Sequence, residues 1–388
     1  AQEKEAEAII SANEANYEKD RATRALSNLN NTRKQVVNVL IEQAKDLIIE
    51  LDYEGALIKL NTGGSLIEKY PPLARAFMEM TFFFAESYQF EKAAKTLDKA
   101  AMLSGMAKAS DKLPAYSDTT SQLSYLRKAL AKLDPDYFTT LQSRYYPEMI
   151  PIKGGTFEMG CLEEKANCLE IELPRHKVSL SAFQLARTET TVWQYYLYLV
   201  ANETESVLSQ KAPYWGLAGP DPMPKINWYE AILYANWASK NHGLTPVYQI
   251  DKDWNIQPDW NADGYRLPTE AEWEFAALGG GPQPDSFLYS GSDILDSVGI
   301  NKNNNQINNV ERPSAVGSLP PNRLGLVDMT GNLQEWCWDW FVKDYYSNSS
   351  TIDPKGPSTA PKQPLRITRG GSFLSDPNTC RNTFRNRN

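Results

Sequence analysis

Gly331-Asn332-Leu333-Gln334-Glu335-Trp336-Cys337-Trp338-Asp339-Trp340 sets three tryptophans on alternate positions of one short run. Working outward, all ten tryptophans of the chain fall between Trp193 and Trp340, and residues 1–145 contain neither tryptophan nor cysteine. Large rings close a core where little regular secondary structure is available to do so. Two construction plans therefore share one polypeptide.

The 388 residues suffice for two or three domains. A hydrophobic content of 41% and a charged content of 23% are those of an ordinary globular chain. No apolar run approaches the ~20 residues a bilayer span needs, which predicts no membrane span. A net charge of -8 argues against nucleic acid as a partner, because phosphate binding needs a basic face. No basic, apolar and small-residue leader opens the chain, so a cytoplasmic location is expected. The opening Ala-Gln-Glu-Lys-Glu-Ala-Glu-Ala reads as the interior of a solvated helix, which suggests a piece of something longer.

Residues 1–145 read as helical. The stretch 4–52 is rich in Ala, Glu, Lys and Leu; its early part suits an exposed or coiled-coil-like helix, and Val36, Val37, Val39, Leu40, Ile41, Leu47, Ile48, Ile49 and Leu51 predict a buried later part. Asp52-Tyr53-Glu54-Gly55-Ala56-Leu57 then matches Gln89-Phe90-Glu91-Lys92-Ala93-Ala94 at an offset of 37 positions. The pair resembles tetratricopeptide-like helix hairpins, whose usual period is about 34; a generic helical bundle explains the same pattern. No catalytic constellation lies here, and a spacer or a surface for a protein partner is the expectation.

Helical periodicity stops at Arg144-Tyr145-Tyr146-Pro147-Glu148-Met149-Ile150-Pro151, which sets a second domain at 146–388. Thr269 and Glu272 form a capping box that opens a short helix, with Gly279 as its stop. Val192–Val200 and Trp228–Lys240 carry helical spacing. Lys177–Leu180, Phe183–Ala186 and Arg366–Thr368 read as short strands.

Five segments in order carry a resemblance. They are Ile152-Lys153-Gly154-Gly155-Thr156-Phe157-Glu158-Met159-Gly160, Pro174-Arg175-His176-Lys177-Val178, Gly264-Tyr265-Arg266-Leu267-Pro268-Thr269-Glu270-Ala271-Glu272-Trp273-Glu274, Gly325-Leu326-Val327-Asp328-Met329-Thr330-Gly331-Asn332 through Trp336, and Arg369-Gly370-Gly371-Ser372-Phe373. Together they resemble the formylglycine-generating-enzyme, or sulfatase-modifying-factor, family over about residues 150–388. The resemblance implies an α+β fold: an irregular, C-type-lectin-like domain, here preceded by an all-α region. The family is functionally mixed, with copper oxidases of a protein cysteine, iron enzymes, and non-catalytic ligand-binding variable proteins of diversity-generating retroelements. Fold alone therefore does not assign function.

The copper reading requires two thiolates, since Cu(I) prefers soft sulfur. The positions matching the oxidase pattern are Ser375 and Cys380, so half of that site is missing. Cys380 remains as the catalytic residue of an alternative, copper-dependent reading. Iron would need several histidines, and the chain has only His176 and His242. Glu270, Glu272 and Glu274 attract notice as acid–base candidates, but they lie on the capped helix. Gly279-Gly280-Gly281-Pro282 reads as a loop rather than a phosphate cradle. Cysteine pairing stays open: Cys161 and Cys168 form a small loop disulfide or are free, and Cys337 and Cys380 are either a pair or two buried thiols.

The resemblance also implies a calcium site at Asp328, Gly331, Leu333 and Glu335, with two carboxylates and two backbone carbonyls as hard donors. Asp328 stands where the oxidases have asparagine. A second calcium position would involve Asn301 and the carbonyl of Lys302, in an asparagine-rich loop. In the variable proteins the stretch after Arg-Gly-Gly-Ser-aromatic is the exposed diversified surface. Here it supplies Ser375, Asp376, Asn378, Thr379, Arg381, Asn382 and Phe384 as candidate contacts for a protein or small-molecule ligand. A structural loop fixed by arginine and asparagine is the competing reading. Family members continue into a Gly-Phe-Arg strand, so a truncated end is expected. The sequence thus points to a non-catalytic recognition module, with an oxidase or a structural subunit of a larger assembly as alternatives.

Overall fold

The computed structural model describes residues 2–110, 113, 119–204, 206–280, 287–307 and 309–388. It divides into two compact units, Ala1–Leu141 and Gln142–Asn388. No described helix is long and apolar enough to cross a membrane.

The first unit holds α1 (Gln2–Ile49), α2 (Tyr53–Gly64), α3 (Pro71–Glu86), α4 (Phe90–Leu103) and α5 (Thr119–Leu133), while α6 (Pro135–Tyr145) runs through the boundary. On α1, Val37, Ile41, Ala44 and Ile48 are buried at helical spacing, whereas residues 15–36 are exposed. Val36, Val39 and Ile49 are exposed as well, which corrects the expectation that the whole apolar stretch is covered. The matched segments open α2 and α4, the second helices of two hairpins. Leu51 and Tyr88, also 37 positions apart, both take left-handed backbone at these junctions (φ 66° and 62°). Tyr53 stacks on Phe83 with ring centroids 3.5 Å apart, so the repeated aromatic fills the space between hairpins.

The second unit is α+β with short strands. β1 (Met149–Ile152) pairs antiparallel with β4 (Phe183–Ala186), and β2 (Gly155–Met159) with β3 (His176–Leu180). α7 (Val192–Ala201), α8 (Ser206–Lys211) and α9 (Trp228–Asn241) follow. β5 (Tyr248–Ile250) with β6 (Ile256–Pro258), and β7 (Gln306–Ile307) with β8 (Val310–Glu311), are two-stranded. Between these ribbons lies α10 (Glu270–Ala277), and β9 (Glu335–Trp340), β10 (Arg366–Arg369) and β11 (Asn386–Arg387) form one sheet in the order β11-β10-β9. The sequence places α7, α9, α10, β3, β4 and β10 within one or two residues of their observed bounds.

Every residue of α10 is buried. Thr269 caps it, accepting from the Glu272 amide, while Glu272 reaches back to the Thr269 amide. Gly279 and Gly280 end it at φ 79° and 65°; Gly281 and Pro282 lie outside the described residues. β9, which the sequence reading did not mark as a strand, alternates in burial. Cys337 and Asp339 face the core around Trp273 and Phe275, and the tryptophans lie on the opposite face. That face is covered by Trp228 of α9 and Tyr248 of β5, 5.3 and 5.4 Å from Trp338 between ring centroids. Two indole N–H groups of this face find carbonyls: Trp228 donates to Cys337 and Trp336 to Ile226.

Candidate functional site

The C-terminal segment is built from the inside. Arg381 is buried and donates from Nη1 and Nη2 to the two oxygens of buried Glu172, both at 3.0 Å. Arg385, also buried, makes the same two-pronged contact to Glu270 at 2.7 and 3.0 Å. Arg369 adds a third guanidinium, bonded to Glu270 at 2.9 Å and Glu274 at 2.6 Å. Burial works to raise the Glu270 carboxyl, but Arg385 and Arg369 outweigh it and hold it below the usual range. The α10 glutamates that looked like acid–base candidates are thus the anchors of buried ion pairs, with Glu272 held by Arg266 at 2.7 Å.

This settles where the seven predicted contacts stand. Asp376 and Asn378 are exposed, Ser375, Thr379 and Phe384 are half-buried, and Arg381 and Asn382 are buried. Arg381 and Asn382 therefore hold the segment rather than face a ligand, and Asn382 donates from its side chain to the Phe287 carbonyl. Sequence alone misassigns them because arginine and asparagine are surface residues unless a partner waits inside.

Cys161 and Cys168 form a disulfide with an S–S distance of 2.02 Å. Cys337 and Cys380 are free and buried, so they are not a pair. The Ser375 hydroxyl accepts from the Ser372 amide at 2.9 Å and bonds the Ser372 hydroxyl at 3.1 Å. Burial pushes the Cys380 thiol up to about 11, against the lowering effect of a Ser372 backbone bond. A copper ion does not fit this donor set: one sulfur is present, protonated and enclosed, beside a hydroxyl. Native protein at pH 8 is expected to react with iodoacetamide more than ~100-fold slower than a free thiol. Unfolding without reductant should release both free cysteines, Cys337 and Cys380, for labelling. Rapid labelling of one cysteine in the folded state, read by mass spectrometry, would contradict this.

The predicted calcium positions lie in a tightly coiled loop, with left-handed backbone at Asp328 (φ 61°), Gly331 (74°) and Asn332 (55°). A Cβ on Gly331 would sit 1.9 Å from the Ile300 carbonyl oxygen, so only glycine fits. Asp328 accepts from the Gly317 amide at 2.6 Å, and Glu335 from the Trp273 indole at 3.0 Å. Each carboxylate keeps a second oxygen. Burial pushes Asp328 up to about 6 and, aided by Asp328 itself, Glu335 up to about 7. Sequence reading missed Glu189, which accepts from the Leu333 amide and the Asn332 side chain, both at 2.8 Å. Burial and then repulsion from Asp328 and Glu335 hold its carboxyl well above the usual range. Asp328 and Glu335 are carboxylates of the type a hard divalent cation takes, and Arg187 partly offsets the charge of Asp328. Among the described residues no three Asp, Glu, His or Cys side chains converge as a ready cage, and the predicted donor set needs only two.

Asn301, by contrast, is occupied locally: its amide donates to Asp296 and its carbonyl oxygen accepts from Asn303. Asn308 of the same loop lies outside the described residues. His176 and His242 are structural, bonding the Pro174 carbonyl and the Tyr265 hydroxyl through Nδ1.

An irregular α+β scaffold with capped helices, a tryptophan-covered sheet and an arginine-anchored C-terminal loop defines a C-type-lectin-like domain. The chain belongs to the sulfatase-modifying factor family: the model described as a sulfatase-modifying factor enzyme 1-like domain matches residues 136–388. Chaperone protein LppX of Paenibacillus barcinonensis is 32% identical over 231 residues, covering 52% of this chain and 73% of the relative. The formylglycine-generating enzyme of Thermomonospora curvata is 30% identical over 263 residues, or 60% of this chain and 84% of the relative. Among solved structures, Treponema denticola variable protein 1 superposes with a TM-score of 0.52 at 27% identity, covering 62% of this chain and 88% of that one.

Proposed function

We propose that residues 146–388 form a non-catalytic recognition module that presents the C-terminal segment to a protein or small-molecule ligand. The observation that carries this reading is the pairing of rigid inner anchors with outward polar tips. Arg381 and Arg385 are locked from beneath, while Asp376 and Asn378 project. A surface held in this way loses little entropy on binding. Ser375, Thr379 and Phe384 border the projecting residues and complete the contact surface. Similarity to a variable protein supports the same assignment. Calcium, held by Asp328, the carbonyls of Gly331 and Leu333, and Glu335, would brace the loop next to the sheet; Asn332 of that loop accepts the Phe373 amide at 2.8 Å on its carbonyl. The helical region at 1–145 serves as a second surface for a protein partner.

The oxidase alternative is tested by loading the chain with Cu(I) and following a cysteine-containing peptide by mass spectrometry. No catalytic loss of the thiol is expected. Stoichiometric copper binding with multiple turnovers would end the recognition reading.

A further inference from the structure

The tryptophan face of the sheet carries a cleft of its own, formed by residues outside the C-terminal segment. It has a volume of about 880 Å³ and is walled by Trp228, Trp254, Trp260, Trp338 and Trp340. Buried tryptophans explain a core, but Trp254 is 55% exposed and Tyr229 45%. Contiguous exposed rings of this size mark a binding surface more often than a folding requirement.

Two cations serve the cleft. Arg366 is 7% exposed, with its guanidinium carbon 3.6 Å from the Trp228 ring centre and 3.3 Å from that of Trp340. It donates to the Trp338 carbonyl, while among the described residues its Nε has no hydrogen-bond partner and no carboxylate forms an ion pair with it. A guanidinium held between two rings, with an unsatisfied Nε and the electrostatic pull of Asp339 in place of an ion pair, favours an anion in the cleft. Lys355, exposed at the rim, places Nζ 4.6 Å from the Trp260 ring centre.

The rest of the wall narrows the ligand. Tyr229 meets Trp254 at 88° and Trp260 meets Trp338 at 90°, so the accessible rings offer single faces and no parallel slot for a planar base. Pro258, Pro357 and Pro364 line the cleft and lack amide hydrogens, which disfavours an added peptide strand. Asn255, Gln257 and Ser358 supply amide and hydroxyl groups at the same wall, and the Asp251 carboxylate there is taken up locally by the Asp253 and Asn255 amides and the Asn255 side chain. Single ring platforms, neutral polar groups and a cation together match the C–H faces, hydroxyls and carboxylate of a uronic acid.

We propose that this cleft binds an acidic saccharide, with sugar faces against Trp254 and Trp260 and the carboxylate drawn to Lys355 and Arg366. The full chain would be titrated by calorimetry with a glucuronate-containing tetrasaccharide, a neutral cello-tetrasaccharide and adenosine monophosphate. The acidic sugar should bind, with the neutral one at least ~10-fold weaker, and Trp254→Ala and Lys355→Ala should each weaken it by about 10-fold. Both substituted side chains are exposed, so an unchanged melting temperature will report that the variants are folded. No binding of the acidic sugar, equal binding of the neutral one, tighter binding of the nucleotide, or indifference to both substitutions would each overturn the proposal.

Discussion

Glu270→Ala is expected to destabilise the second unit by about 3–5 kcal/mol, because it leaves two buried guanidiniums without their shared carboxylate. Glu270 is 1% exposed and receives Arg369, both prongs of Arg385 and the Tyr346 hydroxyl. Glu274 would still hold Arg369, but among the described residues no second carboxylate pairs with Arg385; its other hydrogen bonds go to the Ile171 and Val342 carbonyls, and its guanidinium lies over the Tyr346 ring. Denaturant unfolding followed by tryptophan fluorescence is the measurement, since every tryptophan lies in this unit. Glu270→Gln, which keeps the acceptor shape and loses the charge, should fall between the two. A loss under ~1 kcal/mol for the alanine variant, the scale of an exposed ion pair, would show that the network does not hold the C-terminal segment.

Gly331→Ala should act on two readouts at once. An alanine at φ 74° carries a backbone cost of about 1–3 kcal/mol, and its Cβ meets the Ile300 carbonyl at 1.9 Å, so the loop must shift. Displacing that loop displaces the carbonyls of Gly331 and Leu333. If the loop holds calcium, the unaltered chain gains stability with added calcium, by about 2.7 kcal/mol at a hundredfold excess over the dissociation constant, and loses it to a chelator. The variant should be less stable and indifferent to calcium. A melting temperature of the unaltered chain that responds to neither calcium nor chelator would remove the metal from this account, while the lower stability of the variant would stand on sterics alone.

What could be read from the chain follows the range of the interaction. Thr269 and Glu272 are three residues apart, and the capping box that they imply is present to the residue. The strands at Phe183–Ala186 and Arg366–Thr368 were legible from short local runs, whereas the run holding Trp336, Trp338 and Trp340 was read only as an aromatic-rich stretch and not as the strand β9. Glu189 escaped notice because its partners, Asn332 and Leu333, lie more than 140 positions away. Arg381 and Asn382 were misplaced for the same reason: Glu172 is 209 positions before Arg381, and nothing near either residue reveals the pairing. Apolar Val36 and Val39 were expected inside, yet the buried face of α1 passes through Val37 and Ile41 instead. A helix with apolar residues on more than one face does not say which face is covered.

The inward guanidiniums of Arg381 and Arg385 have a consequence for how this domain can change over generations. Exposed substitutions cost within about 0.5 kcal/mol, so replacements at Leu374, Asp376 and Asn378 leave the architecture standing. Novelty can then accumulate at the tips while the framework stays fixed, so a lineage could retarget this domain without having to re-evolve it.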